Sequence, residues 1–595
     1  MAVVVLGLLA ALGWLLFVRR APLGYVPEWF MRVNGQPWPA GRLLGAVGTI
    51  VGFGGLAAYI AFLARRHRED RWGKWCRGGF VAALVLGAFW LQVAIVLVCP
   101  VGLPSLVAAT YSDVSTEYFA AAWKMDEVGE YLRTYHEQMR GASYHVGTHP
   151  PGAVLVYYGL IRAFYLAPGL AQAFGGWLET TAGLRAGIVA AWGDWPGAAP
   201  MPKAAGAPAA FCSLALAFFG ALSVVPIYFL AKVAGRQPSP IRQAPFGEAQ
   251  GRQGKPPPPL PGGEGRAMAC AALFATVPSL LLFVPTLDQL LLLFAACALA
   301  LMVAGWRRSK PWLTAVAGLV WGLGCFVSFG LLALGPVMLV FLVLEAWAGT
   351  NPAPPDDLGQ EARAAQRSAA SQSRASSCPT GERNGREDAA PTRGGQNGAR
   401  GKPFGLRSQA TAAQGRPLPY ARDEVVRAAL HFGLLCAGLV VVALLVWFGL
   451  GVRLPEVWER GMAAHRQVTA PRTYGVWLGM NLLEFALFLG LPATVAVIAS
   501  LYWTMRRRGQ ADGGSHLTYL ALATVAVIAL LDVSGRVRGE VGRIWLFLMP
   551  PLVLLAAERM WERRYGAALW GIAVGGQLVQ VLMMVVTMTP IVRPW

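Results

Sequence analysis

Uninterrupted apolar runs, each long enough to cross about 30 Å of hydrocarbon, occupy most of this sequence and leave it few folds to choose from. They lie near 2–18, 43–64, 79–99, 209–233, 267–284, 288–305, 312–331, 333–349, 426–451, 475–503, 517–533, 544–557 and 567–590, with 151–172 as an ambiguous fourteenth. No water satisfies a backbone amide inside a bilayer, so such runs are expected to be helices whose hydrogen bonds close within the segment. With 55% hydrophobic and 14% charged residues over 595 positions, and a mean hydropathy of +0.48, the chain reads as all-α. The expected fold is a polytopic transmembrane helical bundle of about 13–14 spans with an outer juxtamembrane helix after an early span. The first run has no basic leader and is followed by Arg19 and Arg20 instead of a small-residue cleavage site, so it is read as a retained span.

The net charge of +20 would suggest nucleic acid in a soluble protein. Here the basic residues sit between spans, where the positive-inside rule accounts for them, and no nucleic-acid partner is expected. Arg65, Arg66 and Arg68, Arg307 and Arg308, Arg506 to Arg508, and Arg563 and Arg564 mark cytoplasmic loops. Loop 100–150 and the links at 285–288, 452–474 and 534–543 then lie outside, in a multi-pass protein of the plasma (inner) membrane with an extracytoplasmic site. To keep that threading, 151–172 must be re-entrant or be paired with a weak return crossing around 182–193. The eight cysteines are scattered without a CxxC, which indicates neither a disulfide framework nor a thiolate metal site.

Two polar stretches, 235–266 and 350–424, are rich in Pro, Gly, Ser and Arg and cannot bury enough apolar area to offset their ordering entropy. Both are expected to be disordered cytoplasmic inserts. The domain plan is an N-terminal transmembrane hairpin (1–78), a catalytic core with outer loop 100–150 (79–234), the first insert, a transmembrane core (267–349), the second insert, and C-terminal helices with an Arg-rich outer loop at 534–543 (425–595).

Chemistry is concentrated in the outer loop. Phe119, Trp123, Val128, Tyr131, Leu132 and Tyr135 recur at three- and four-residue spacing, which predicts one amphipathic surface helix from Glu117 to Met139. Thr148-His149-Pro150-Pro151-Gly152 then stiffens the chain where it re-enters the apolar layer. Asp113, at the start of the helix, fits a helix cap; it also fits a general base with Glu117 one turn away, able to take a proton from an acceptor hydroxyl. His145 and His149 flank a turn, where capping or polar packing competes with a metal role. A divalent cation (Mg, Mn or Zn) held by Asp113, Glu117 and His149 is one option for a cofactor.

A second constellation is Ser534-Gly535-Arg536-Val537-Arg538-Gly539-Glu540-Val541-Gly542-Arg543. Three arginines on the outer side contradict the positive-inside rule, and an anionic phosphate would explain Arg536, Arg538 and Arg543, with Glu540 holding one guanidinium. If the segment is helical, Arg536, Glu540 and Arg543 share a face; a salt-bridge cluster is the other reading. Loop 452–474 adds His465, Arg466, Arg472 and Tyr474, and Trp477, Asn481 and Glu484 follow. Glu484 needs a partner such as one of these arginines, while Tyr474 and Trp477 read as interface anchors.

An acid soon after an early span, a surface helix and the His149-Pro150-Pro151 opening of the next segment resemble the GT-C class of integral-membrane glycosyltransferases, which includes protein mannosyltransferases and the lipid A aminoarabinose transferase. Pro285-Thr286-Leu287-Asp288-Gln289-Leu290-Leu291 is also similar to that class, whose members often carry an Asp at the outer start of a later span. The match covers roughly 79–330. It implies a polyprenyl-phosphate sugar as donor, Asp113 at the catalytic acid position, and a glycan, lipid or protein as acceptor. The spacing Asp113-x-x-x-Glu117 departs from the adjacent acids of the family. A transporter or flippase for a lipid-linked sugar or other anionic lipid would use the same arginines but predicts matching halves and mid-membrane charges, of which the sequence shows little. A membrane scaffold would leave Asp113 and the outer arginines without a role.

Overall fold

A computed structural model of the chain describes residues 1–19, 40–66, 74–99, 102–112, 117–140, 144–180, 202–235, 263–350, 419–506, 515–561 and 566–587, with Ala142 and a few residues between 21 and 31. It is a helical bundle. Seven helices are long and apolar enough to cross a membrane: Arg77–Val98, Gly206–Ala234, Asp288–Arg307, Phe329–Ala348, Arg422–Gly449, His516–Val533 and Ala568–Thr587. Two further pairs, Gly152–Tyr165 with Pro168–Thr180 and Tyr474–Leu489 with Leu491–Arg506, pass the same test together but bend by 100° and 108°. Among the described residues seven to nine helices thus pass as membrane spans, with shorter apolar helices at Ala2–Val18, Leu43–Leu56 and Pro311–Val327 beside them, against 13–14 spans expected over the whole chain.

Two of the expected runs are broken by local geometry. Run 475–503 breaks at Gly490, whose φ of 98° is followed by Leu491-Pro492, and run 267–284 breaks where Pro278 opens a new short helix after Phe274. A proline has no amide to donate and a positive φ leaves the helical well, so apolar composition alone does not guarantee a continuous span. Among the described residues the strands are confined to a short antiparallel hairpin, with Leu23 opposite Met31 and Tyr25 opposite Trp29.

The Asp288–Arg307 helix shows how sequence makes a span. Its apolar residues run all round the cylinder, Asp288 lies in its first turn and Arg307 in its last, each complementing the helix dipole. Its 20 residues rise about 30 Å, the thickness of the hydrocarbon layer. This helix packs against Pro311–Val327 and Val224–Ala234. Behind it lies the centre of the bundle, where every residue from 265 to 283 is buried and Gly263–Phe274 rests on Met549–Trp561. The first apolar helix turns Val5, Leu9, Leu12 and Leu16 inward, against the last helix and Leu491–Arg506.

Several boundaries move. The segment expected to form one surface helix is two, Tyr118–Trp123 and Val128–Gln138, because the chain turns at Lys124–Glu127 and drives Met125 into the core. The apolar residues of both pieces reach the interior, Phe119, Leu132 and Tyr135 fully. Gly263–Arg266 is helical instead of closing an insert, and Pro419–Glu424 begins the Pro419–Leu444 helix. The rest of both inserts, and the return crossing at 182–193, lie outside the described residues. Six cysteines, Cys99, Cys212, Cys270, Cys297, Cys325 and Cys436, are free thiols.

Helices Pro311–Val327 and Pro419–Leu444 meet backbone to backbone at two glycines. A Cβ on Gly318 would lie 2.5 Å from the Leu435 carbonyl oxygen, and one on Gly438 would lie 2.5 Å from the Gly318 carbonyl carbon. Close approach of this kind replaces the hydrophobic drive that helices lack in lipid. Gly438→Ala should therefore cost about 1–3 kcal/mol by overpacking, whereas Gly433→Ala on the same helix, which meets nothing within 4 Å, should cost nothing. Thermal unfolding of the two variants in detergent measures the difference, and equal stability would contradict the close packing.

Candidate functional site

The site forms where the Arg-rich loop meets the start of the Asp288–Arg307 helix and the His-Pro-Pro turn. Between Ser534 and Val541 the chain is a loop: Gly535, Gly539 and Glu540 all have positive φ, at 62°, 86° and 62°. The arginines consequently do not share a helical face, and each has a different fate.

Arg538 and Arg472 clasp each other. Arg472 Nη1 donates to the Arg538 carbonyl, while Arg538 Nη1 donates to the Arg472 carbonyl and, at 3.2 Å, to that of Thr469. Arg536 is exposed, and its carbonyl accepts a 2.7 Å hydrogen bond from His465 Nε2. Only Arg543 is buried. Its Nη2 donates to Glu540 Oε2 at 2.7 Å and its Nε lies 3.5 Å from Asp288 Oδ2, close enough for an ion pair but without a hydrogen bond. Glu540 also reaches Arg472, Oε1 to Nη2, at 3.4 Å, so the carboxylate expected to steady one guanidinium steadies two. Burial works against the Arg543 charge, but Asp288 and Glu540 outweigh it and hold the guanidinium above its usual range. For Glu540, burial favours the neutral acid, and Arg543 and Arg472 overcome it, so its pKa is lowered.

Neighbouring spans fasten the loop. Asn481 Nδ2 donates to Asp532 Oδ1 and to the Val537 carbonyl, both at 2.9 Å, and its Oδ1 accepts from Gly539 N at 2.8 Å. Glu484, for which an arginine partner was expected, instead accepts from Gly542 N at 3.1 Å. Ser279 donates to the Gly542 carbonyl at 2.5 Å, and a Cβ on Gly542 would run into the Phe488 ring at 2.2 Å, so the position requires glycine. Trp477, expected at the membrane interface, is fully buried with the Arg472 guanidinium 5.9 Å from its ring. Tyr474 is partly exposed and donates to the Val533 carbonyl.

The other wall comes from the segment that runs from Tyr118 to Tyr157. The Tyr118 ring lies 6.2 Å from His145 and 5.8 Å from His149, and stacks at 6.1 Å on Tyr157. His149 Nδ1 is 3.1 Å from the His145 carbonyl; donation there leaves Nε2 as an acceptor. Tyr135, whose hydroxyl is 2.9 Å from the Val146 and His149 carbonyls, ties the turn to the surface helix. Burial pushes His145 down to about 4, helped by the Arg543 charge. It pushes His149 down to about 3, with contributions from His145 and Arg543. Burial first, then the nearby charges of Asp288 and Glu117 against that of Arg543, leaves Tyr118 protonated far above its usual range. Arg543, Asp288, Tyr118, His145 and Glu540, drawn from motifs separated by more than half the chain, thus lie within electrostatic reach of one another.

Asp113 lies outside the described residues. Glu117 stands just ahead of the Tyr118–Trp123 helix with a φ of 55°. Three non-glycine residues among those described have positive φ, and two of them, Glu117 and Glu540, belong to this site. A left-handed residue with a side chain costs about 1–3 kcal/mol and persists where the surroundings enforce it, which happens most at functional sites. Among the described residues no three His, Cys, Asp or Glu side chains gather as a metal site. Tyr118 and Tyr157 escaped the sequence reading because they looked like core aromatics. Asp532 carried a signal, an acid closing an apolar run.

The arrangement offers an anchored cation with one donor uncommitted, an aromatic wall, neutral imidazoles and several carboxylates. Such a set can bind an anionic group and stack against a ring or isoprenoid. No family model matches the chain, and no curated protein or solved structure is significantly similar to it.

The histidines set a pH dependence. Both are neutral in the folded protein at neutral pH, whereas in the unfolded chain they titrate near 6.5. Below 6.5 the unfolded state binds more protons, so stability should fall as the pH is lowered from 6.5 toward 4, and stay level above it. Unfolding temperatures measured across that range should fall steeply for the wild type and less steeply for His149→Gln. Parallel slopes would show that His149 is not held neutral by its surroundings.

Proposed function

We propose that this protein is a membrane glycosyltransferase of the GT-C kind, which moves a sugar from a polyprenyl-phosphate donor to an acceptor hydroxyl at the extracytoplasmic face. The observation that carries the reading is the buried Arg543, set between Asp288 and Glu540 with its Nε free of hydrogen bonds and next to the Tyr118, His145 and His149 wall. An arginine at that depth is costly unless it meets an anion, and a phosphate ester offers more acceptor oxygens than the long contact to Asp288.

In this mechanism Arg543 binds the phosphate of the donor and stabilises it as it leaves. The bond from sugar C1 to the phosphate oxygen breaks while the acceptor oxygen attacks from the opposite face, so the anomeric configuration inverts. The acceptor proton passes to the carboxylate of Asp113, a few residues ahead of Tyr118, with Glu117 as its neighbour. Arg472 and Arg538, already bound to carbonyls, keep Arg543 in place by holding the loop; Arg536 and His465 lie at its rim. Asp288 and Glu540 share the charge of Arg543 when no donor is present. A lipid-linked-sugar transporter would use the same cation and differs in needing no base.

Removing a preorganised donor from a developing charge costs about a hundred- to a thousand-fold in rate. Arg543→Gln and Asp113→Asn should therefore each abolish a cell-surface glycan that the wild type restores, read by mass spectrometry of glycans from cells lacking or carrying each form. Polyprenyl phosphate should copurify with wild type and Asp113→Asn but not with Arg543→Gln. Normal glycans with Asp113→Asn, in cells where deletion removes them, would reject the base and favour transport.

A further inference from the structure

A groove of about 670 Å³ opens far from this site, between the Lys74–Val98 helix and the Gly206–Ala234 helix. Its wall is apolar, with Val81, Val85, Leu86, Phe218, Leu222 and Phe229 among its residues. One end is charged. Arg77 Nη1 lies 3.1 Å from Glu264 Oε1, Lys232 Nζ contacts the same oxygen, and Tyr228 donates to Oε2. Two cations thus share one carboxylate, both of whose oxygens are engaged. Among the described residues the mouth keeps an excess positive charge, on two side chains each about one third exposed, 34% and 36%.

The groove lies at the opposite end of the bundle from Arg543. The helix that begins at Asp288 ends at Arg307, about 30 Å away by its rise, and Arg307 donates to the carbonyl of Val233, next to Lys232. From Arg77 to Leu86 the wall rises about 14 Å, half the hydrocarbon thickness and so one leaflet. A polyprenyl chain reaching the Arg543 site would need the full span.

We propose that this groove is a binding site for one anionic glycerophospholipid, with its phosphate on Arg77 and Lys232 and an acyl chain along Val81, Val85, Phe218 and Leu222. The apolar wall takes the chain and the unbalanced cations take the phosphate, each near-surface cation contributing attraction to an anionic headgroup. Glu264 fixes the two cations at the rim and limits the net charge there. A zwitterionic lipid of equal length fills the wall equally well but brings its own cation to the mouth, so charge sets the selectivity. The proposal does not depend on the glycosyltransferase reading.

Native mass spectrometry of the purified full chain, offered phosphatidylglycerol and phosphatidylcholine with identical acyl chains, tests it. The wild type should retain one phosphatidylglycerol in preference to phosphatidylcholine. Two basic residues at a membrane surface make about a ten- to thirty-fold difference, so the double variant Arg77→Gln/Lys232→Gln should lose that preference. Glu264→Gln, which removes the competing carboxylate, should keep or strengthen it, and gives a reading even if the double variant does not fold. Ala82→Trp, with both charges intact, should reduce retention of either lipid by filling the groove. Equal retention of the two lipids by wild type, or loss of phosphatidylglycerol with Glu264→Gln, would overturn the proposal.

Discussion

Arg543 is about nine-tenths withdrawn from water, and much of the surrounding structure follows from that. A buried guanidinium needs counter-charge and hydrogen-bond acceptors from the protein itself. Glu540 supplies one from three residues away, in a backbone conformation it would not choose alone. Asp288 supplies another from the first turn of a span, where the helix dipole favours an anion. Bringing these groups together requires the short loop to be stapled by Asn481, Ser279 and the Gly542 amide, and requires glycine where the Phe488 ring presses in.

The two ends of the bundle handle charge differently. At the Arg543 end one cation is buried between carboxylates, Arg472 and Arg538 are partly buried and bound into backbone, and Arg536 is exposed. At the other end Arg77 and Lys232 stay near the surface, while Arg266 pairs inside with Glu558 at 3.2 Å, where Ser515 also donates to the carboxylate. Between them the span interiors are held by shape, above all where Gly318 and Gly438 let two helices touch along their backbones.

Much of the fold could be read directly from residue types. Membrane-length apolar runs identify helices because composition and the bilayer impose the same demand, and Arg543 stood out because it follows two other arginines in a link that the charge pattern was expected to place outside. The sequence was less informative where geometry depends on a single backbone angle. The bend at Gly490 turns one apolar run into two helices, and the turn at Lys124–Glu127 splits one amphipathic pattern without altering its periodicity. The meeting of Tyr118 and His145 with Arg543 was invisible for another reason: it depends on packing between segments far apart in the chain, on which local pattern is silent.

The clasp between Arg472 and Arg538 has a mechanical meaning. Each side chain is bolted to the other's main chain, so the loops cannot part without both bonds breaking. Two such bolts thrown in opposite directions leave no easy seam between residues 469–472 and 535–540. The two loops form a single lintel, and Glu540, which holds both Arg472 and Arg543, ties the buried cation to it.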